Sequence, residues 1–165
     1  MKHLSILTLT IIALSSFMAT TVQADSPHFV RGPTASLDTQ SGDYCVAFKE
    51  AGLGNLPITY VITAQTADFT FQCFTRHGNE PQGDPNHISV SNLSAQTTIQ
   101  PHNGQITGTL CLSPRQDGAD CQGRGLVLKL IHVAYLNVQL CDVSNNVCAN
   151  AASLSGDIVP PIPFP

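Results

Sequence analysis

The sequence predicts an all-β protein, a two-sheet sandwich of about eight or nine short antiparallel strands stapled by disulfides. Three observations carry that expectation. Apolar and polar side chains alternate over short runs rich in Val, Ile, Thr, Phe and Tyr. Gly, Pro and Asn punctuate those runs at short intervals, where chain reversals are cheapest. Six cysteines sit in a chain whose first residues read as an export signal.

Taken in order, residues 1–24 form the signal. Lys2 supplies a positive start, Leu4 to Phe17 is mostly apolar, and Val22-Gln23-Ala24 fits a cleavage site before Asp25. Ser15, Ser16, Thr20 and Thr21 dilute the apolar run below the length that spans a bilayer, so no stable membrane anchor is expected. Residues 25–157 form one β-domain.

Within that domain, Thr34 to Leu37 is a first strand after the Gly32-Pro33 break, and Tyr44 to Lys49 a second, with Tyr44, Val46 and Phe48 on one face. Ala51 to Asn55 is a turn. Pro57 to Gln65 places Ile58, Tyr60, Ile62 and Ala64 together, and Asp68 to Phe74 places Phe69, Phe71 and Cys73 together. Thr75 to Asn86 reads as a long loop because Gly78, Pro81, Gly83 and Pro85 interrupt it. His87 to Leu93 and Ala95 to Gln100 are short strands, and Asn103-Gly104 marks a tight turn before Gln105 to Leu112. Ser113 to Gly125 is a second long loop. Leu126 to Cys141 is apolar enough for a buried helix, but the alternation over 134–140 favours a strand with a bend or bulge near His132. Val147 to Leu154 returns as a hairpin partner across Ser144-Asn145-Asn146. The tail at 158–165, rich in proline, is expected to stay out of a central sheet and run as extended polyproline.

Many short strands favour a sandwich over a closed barrel. The architecture is Ig-like without the Ig signature, since the chain has no Trp to pack on a bridge. Composition narrows the function classes. Charged residues make up 11% of the chain and the formal net charge is −4, with no basic patch to hold nucleic acid or an anionic membrane. In an exported chain the six cysteines, Cys45, Cys73, Cys111, Cys121, Cys141 and Cys148, read as three disulfides with fifteen connectivities open. A zinc site fits poorly, because no C-x-x-C pair exists.

Three phrases belong together: His28-Phe29-Val30 through Pro33-Thr34-Ala35-Ser36, Phe48-Lys49-Glu50-Ala51-Gly52-Leu53-Gly54-Asn55, and Asn103-Gly104-Gln105-Ile106-Thr107-Gly108. With the run ending at Cys73 and the Tyr135-Leu136-Asn137-Val138 strand, the chain resembles a family of small secreted bacterial β-proteins of unassigned function. The resemblance implies a bridge between Cys73, after the aromatic strand, and Cys121, before a Gly-rich phrase. The other four cysteines depart from that pattern. Cys141 and Cys148 flank the expected hairpin, and Cys45 and Cys111 remain by elimination.

Chemistry is sparse. His28, His77, His87, His102 and His132 are dispersed without metal-ligand spacing, and His132 lies in an apolar run, where a core histidine is expected. His77 and His87 flank the long loop with Glu80 and Asp84 between them, which reads as a polar surface loop before it reads as a metal site. No G-x-S-x-G elbow exists, and oxidised cysteines cannot serve as nucleophiles. Glu50 and Asp68 are candidates for a glycosidase carboxylate pair, of a kind that any chain with 11 acids offers by chance. Asp117 to Asp120 lacks the ligand spacing of a calcium loop. Stacking of sugars is disfavoured by the missing Trp and only three Tyr, and Asn92-Leu93-Ser94 is a glycosylation sequon for a eukaryotic host. No cofactor is implied.

The expectation is a secreted or periplasmic, non-catalytic module that binds an extracellular protein or ligand through its loops. Arg76, His77 and Asn79 are the expected ligand contacts. Two alternatives stand beside it. One is an inhibitor of a secreted hydrolase presenting the Cys111–Cys121 loop with Arg115 as specificity residue; the other is a hydrolase with an unrecognised site.

Overall fold

The computed structural model describes residues 26–77 and 79–163, and the segment at 1–24 that the sequence marks as an expected export signal lies outside them. Alternating side chains do what their period requires, and the described residues form strands and turns with no helix. In chain order the strands are β1 (His28–Leu37), β2 (Tyr44–Ala51), β3 (Ile58–Thr75), β4 (Pro81–Ile99), β5 (Gln105–Leu112), β6 (Leu126–Asp142), β7 (Val147–Ala151) and β8 (Leu154–Pro163). They build two facing sheets. The small one runs β1-β2-β5, and the large one runs β4-β3-β6-β7 with β8 also pairing β6. Every pairing is antiparallel.

Three sequence expectations are corrected. The segments expected at 57–65 and 68–74 merge into the single strand β3, and those expected at 87–93 and 95–100 merge into β4. The twelve-residue loop at 75–86 shrinks to a turn, because β4 begins at Pro81 and Cys73 already pairs Gln82. Pro81 and Pro85 are tolerated there since β4 is an edge strand. The proline-rich tail is part of the sheet: Leu130 pairs Ile162 and Lys129 pairs Pro163 along its edge. A bulge was expected near His132, and the β3–β6 register shifts there, with Thr70 opposite His132 and Phe71 opposite Leu130.

One irregularity organises the large sheet. Residues Ile58, Tyr60, Ile62 and Ala64 of β3 point inward, and then the parity reverses, so that Ala67, Phe69 and Phe71 point inward. β4 reverses between Val90 and Leu93, β6 between Tyr135 and Val138, and the β7–β8 strand line between Ala151 and Leu154. All four reversals lie at one level. Ala64 pairs Leu93 and Val138, and Thr66 pairs Ser91 and Leu136, so Gln65, Asn92 and Asn137 form a transverse row with no change of register. A slip in one strand alone would turn its apolar set to solvent; a shared reversal keeps every strand's apolar set in the core. Asn92 (φ 55°) and Asn137 (φ 51°) occupy the left-handed region in the row, a conformation that Asn tolerates better than most residues.

The core follows the same division. Phe48 packs on Tyr60 with ring centroids 4.6 Å apart and on Phe29 at 6.0 Å, filling the half of the sandwich before the row. Tyr135 packs on Tyr44 at 5.2 Å and Phe69 at 5.7 Å in the half beyond it. Each aromatic pair adds about 0.5–1.5 kcal/mol to simple area burial. The buried phenols have partners: Tyr44 donates to the Ala152 carbonyl, Tyr135 to Gly42 and Tyr60 to the Glu50 carboxylate. Burial pushes the Tyr44 hydroxyl up to about 12 and raises Tyr60 and Tyr135 as well. Gly42 (φ 81°) must be small, since a Cβ there would meet Pro114 at 2.8 Å and Leu130 at 2.9 Å.

Three disulfides join Cys73 to Cys121, Cys141 to Cys148 and Cys45 to Cys111. The Cys45–Cys111 and Cys141–Cys148 bridges link directly paired residues on the outer faces of the small and large sheets, respectively. Cys73 points into the core with Phe69 and Phe71, and ties β3 to the loop before β6.

Candidate functional site

The residues singled out in the sequence do not converge. Arg76 and His77 are exposed in the turn between β3 and β4, which Thr75 closes through its backbone to Glu80 and its hydroxyl to the His77 carbonyl. Asn79 (φ 59°) accepts a hydrogen bond from the Lys129 ammonium, which also sits over the Phe74 ring at 5.0 Å. Asn79 therefore has a structural role in this turn. Glu50 and Asp68 are separated, Glu50 buried between the sheets and Asp68 on the outer face of β3. His132 is not a core residue. It lies on the outer face of β6 with its Nδ1 2.7 Å from Asp157 Oδ1. Among the described residues no group of three His, Cys, Asp or Glu side chains is placed to hold a metal ion.

What the fold does assemble lies along the transverse row. The shared reversal leaves a groove of about 520 Å³ on the outer face of the large sheet, lined by Thr63, Gln65, Asn92, Asn137, Gln139 and Asn150 among others. No lining residue is ionisable. The amides hold one another in place. Asn137 Nδ2 donates to Gln65 Oε1 at 2.9 Å, and Gln139 Nε2 donates to Asn150 Oδ1 at 3.3 Å. The Asn137 backbone N–H is taken by Ser153 Oγ at 2.9 Å. Each internal bond uses one end of an amide, and the other end retains hydrogen-bonding capacity. Asn137 Oδ1, Gln65 Nε2 and Asn150 Nδ2 are such ends, and Asn92 of the edge strand β4 also lines the groove.

Beyond the row the outer face changes character. His87, Thr70, His132 and Asp157 stand level across four strands. Thr70 Oγ1 lies 3.1 Å from His87 Nδ1. The opposite situation holds inside the sandwich, at the end before the row. There Glu50 is fully buried with Oε2 accepting from Tyr60 at 2.7 Å, while Oε1 has no hydrogen-bond donor among the described residues and the carboxyl group interacts with that of Asp142. Burial above all, and then the nearby Asp142 carboxylate, raise the Glu50 pKa against the Tyr60 hydrogen bond that lowers it. Asp142 is satisfied, accepting the Ser144 and Asn145 backbone N–H groups at Oδ1.

The groove residues escaped the sequence reading, although one signal was available. Alternation breaks in three runs, and each break carries an amide: Gln65, Asn92 and Asn137. Fold and groove define a disulfide-stapled β-sandwich with a polar concavity on one sheet. No protein-family model matches the chain, and no curated protein matches it.

Proposed function

We propose that this is an exported, non-catalytic binding module that holds an extended, uncharged segment of a partner protein in the amide groove of the large sheet. The observation that carries the reading is the set of half-used, mutually oriented amides with no ionisable group among them. Amides pair naturally with the donor and acceptor of a peptide main chain, and pre-orientation reduces the entropy lost on binding. The groove has no aromatic platform, which favours peptide over stacked sugar rings. Three disulfides suit an oxidising compartment, and the signal-like pattern of residues 1–24 supports a mature chain in the periplasm or the medium.

The test is titration of the mature protein with neutral extended peptides taken from an immobilised peptide library. Binding is expected to weaken about tenfold in Asn92→Gly, which keeps the left-handed backbone but deletes the amide. It should change little with salt, because neither side is charged. Peptides that bind wild type and Asn92→Gly equally would remove the groove from consideration. Neutral oligosaccharides binding in their place, with the same dependence on Asn92, would keep the groove and change the ligand.

A second reading rests on the segment at 113–122. Its flanks are held by separate bridges at Cys111 and Cys121, and Arg115 is exposed on it. That suits a hydrolase inhibitor, for which inhibition of a trypsin-like protease, abolished by Arg115→Ala, is the expected result.

A further inference from the structure

The outer face of the small sheet sets two cationic residues opposite each other. β1 is irregular on both sides of Arg31, with register shifts between Phe29 and Arg31 and again between Arg31 and Thr34. Bulges re-aim side chains. Here they set Arg31 directly opposite Lys49, and Lys49 in turn pairs Thr107 of β5. Phe48 and Glu50 point inward, so Lys49 faces out, and Thr107 and Thr109 face out between Ile106 and Leu110. Arg31, Lys49, Thr107 and Thr109 line a groove of about 460 Å³.

Like charges directly opposite on antiparallel strands repel. No acid relieves this pair among the described residues, where the one close contact between a basic side chain and a carboxylate, His132 with Asp157, lies on the other sheet. Glu50, the neighbour of Lys49 in sequence, is buried in the core. With 11 acidic and 7 basic residues in the chain, composition does not force two cations together.

We infer that Arg31 and Lys49 form a site for one oxyanion, the carboxylate or sulfate ester of an acidic glycan, whose hydroxyls meet Thr107 and Thr109. A guanidinium grips such a group with two parallel hydrogen bonds, and an ammonium adds a point charge beside it. The site crosses three strands, about 10 Å, which is longer than a single small anion and suits a polymer. Acidic glycans are held by charge and hydroxyl contacts, so the scarcity of aromatic platforms is no obstacle.

The experiment is isothermal titration of the mature, oxidised protein with polygalacturonate, a sulfated glycosaminoglycan, inorganic sulfate and polyglutamate, at low and raised salt. An acidic glycan is expected to bind, weakening as salt rises. Arg31→Gln and Lys49→Gln should each reduce affinity about tenfold or more, and Arg124→Gln, at an exposed arginine in the loop before β6, should leave it unchanged. Free of ligand, Lys49→Gln should melt no lower than wild type, since it relieves repulsion. Four results would overturn the assignment: no binding by either glycan, equal binding by the Arg31 and Lys49 variants, sulfate or polyglutamate binding as tightly as the glycans, or a lower melting temperature for Lys49→Gln.

Discussion

The two halves of the large sheet, on either side of the Gln65–Asn92–Asn137 row, put their polarity in opposite places. Before the row the outer face is neutral, with Thr59, Thr63, Thr98 and Gln139, and the buried side holds Glu50 and Asp142 beside Tyr60. Beyond the row the outer face carries His87, His132, Asp68 and Asp157, and the buried side is built from Phe69, Phe71, Leu130, Val133 and Tyr135. The staples differ too. Cys141–Cys148 lies on the outside of the first half, and Cys73–Cys121 reaches from the core of the second. A single continuous sheet therefore behaves as two surfaces, and the reversal that separates them also makes the groove.

The largest difference between the halves should appear in their disulfides. Cys73–Cys121 spans 48 residues and Cys141–Cys148 spans 7. On the chain-entropy model these constrain the unfolded chain by about 4 and about 2 kcal/mol respectively. Serine at both Cys73 and Cys121 should lower the denaturant midpoint further than serine at both Cys141 and Cys148. Equal losses would mean that the two halves unfold from a denatured state already ordered in one of them.

A smaller effect should come from the row itself. Asn92→Val or Asn137→Val forces a β-branched side chain into a left-handed backbone and should cost about 1–3 kcal/mol. Asn→Gly at the same positions should cost less, and Gln65→Val, whose φ is not positive, should stay within about 0.5 kcal/mol of wild type. If all three valines cost the same, the left-handed residues do not hold the boundary.

The smallest expected effect is the buried acid of the first half. Because its folded pKa lies above the ordinary value of 4.5, the folded state binds that proton more tightly than the unfolded chain. Its contribution is present below the ordinary carboxyl range and is lost as pH rises through the raised value. Glu50→Gln, which has nothing to ionise, should flatten that slope and gain about 1 kcal/mol over wild type at alkaline pH, read from melting curves across pH. Parallel pH profiles for the two proteins would show that Glu50 does not set the slope.

The halves also account for the places where local sequence pattern and structure part. A reversal of inward parity looks like the end of one strand and the start of another, so β3 and β4 were each divided near Gln65 and Asn92. Pro81, Gly83 and Pro85 look like a loop because proline breaks a ladder from the inside, and only the edge position of β4 makes them harmless. His132 sits in an apolar run, but the bulge beside it turned its ring outward to Asp157.

The all-β class, the inward set of each strand segment and the turns at Asn103-Gly104 and 144–146 were determined by the sequence alone, because they depend on a two-residue period and on local backbone preference. The disulfide pairing, implied by a resemblance and by a hairpin, is the pairing found. Tertiary structure decided what depends on residues far apart in the chain. It aligned Gln65 with Asn92 and Asn137 into one boundary, buried Glu50 against Tyr60 and Asp142, and set Arg31 opposite Lys49. Register between strands is a property of their pairing, and a single strand's sequence does not contain it.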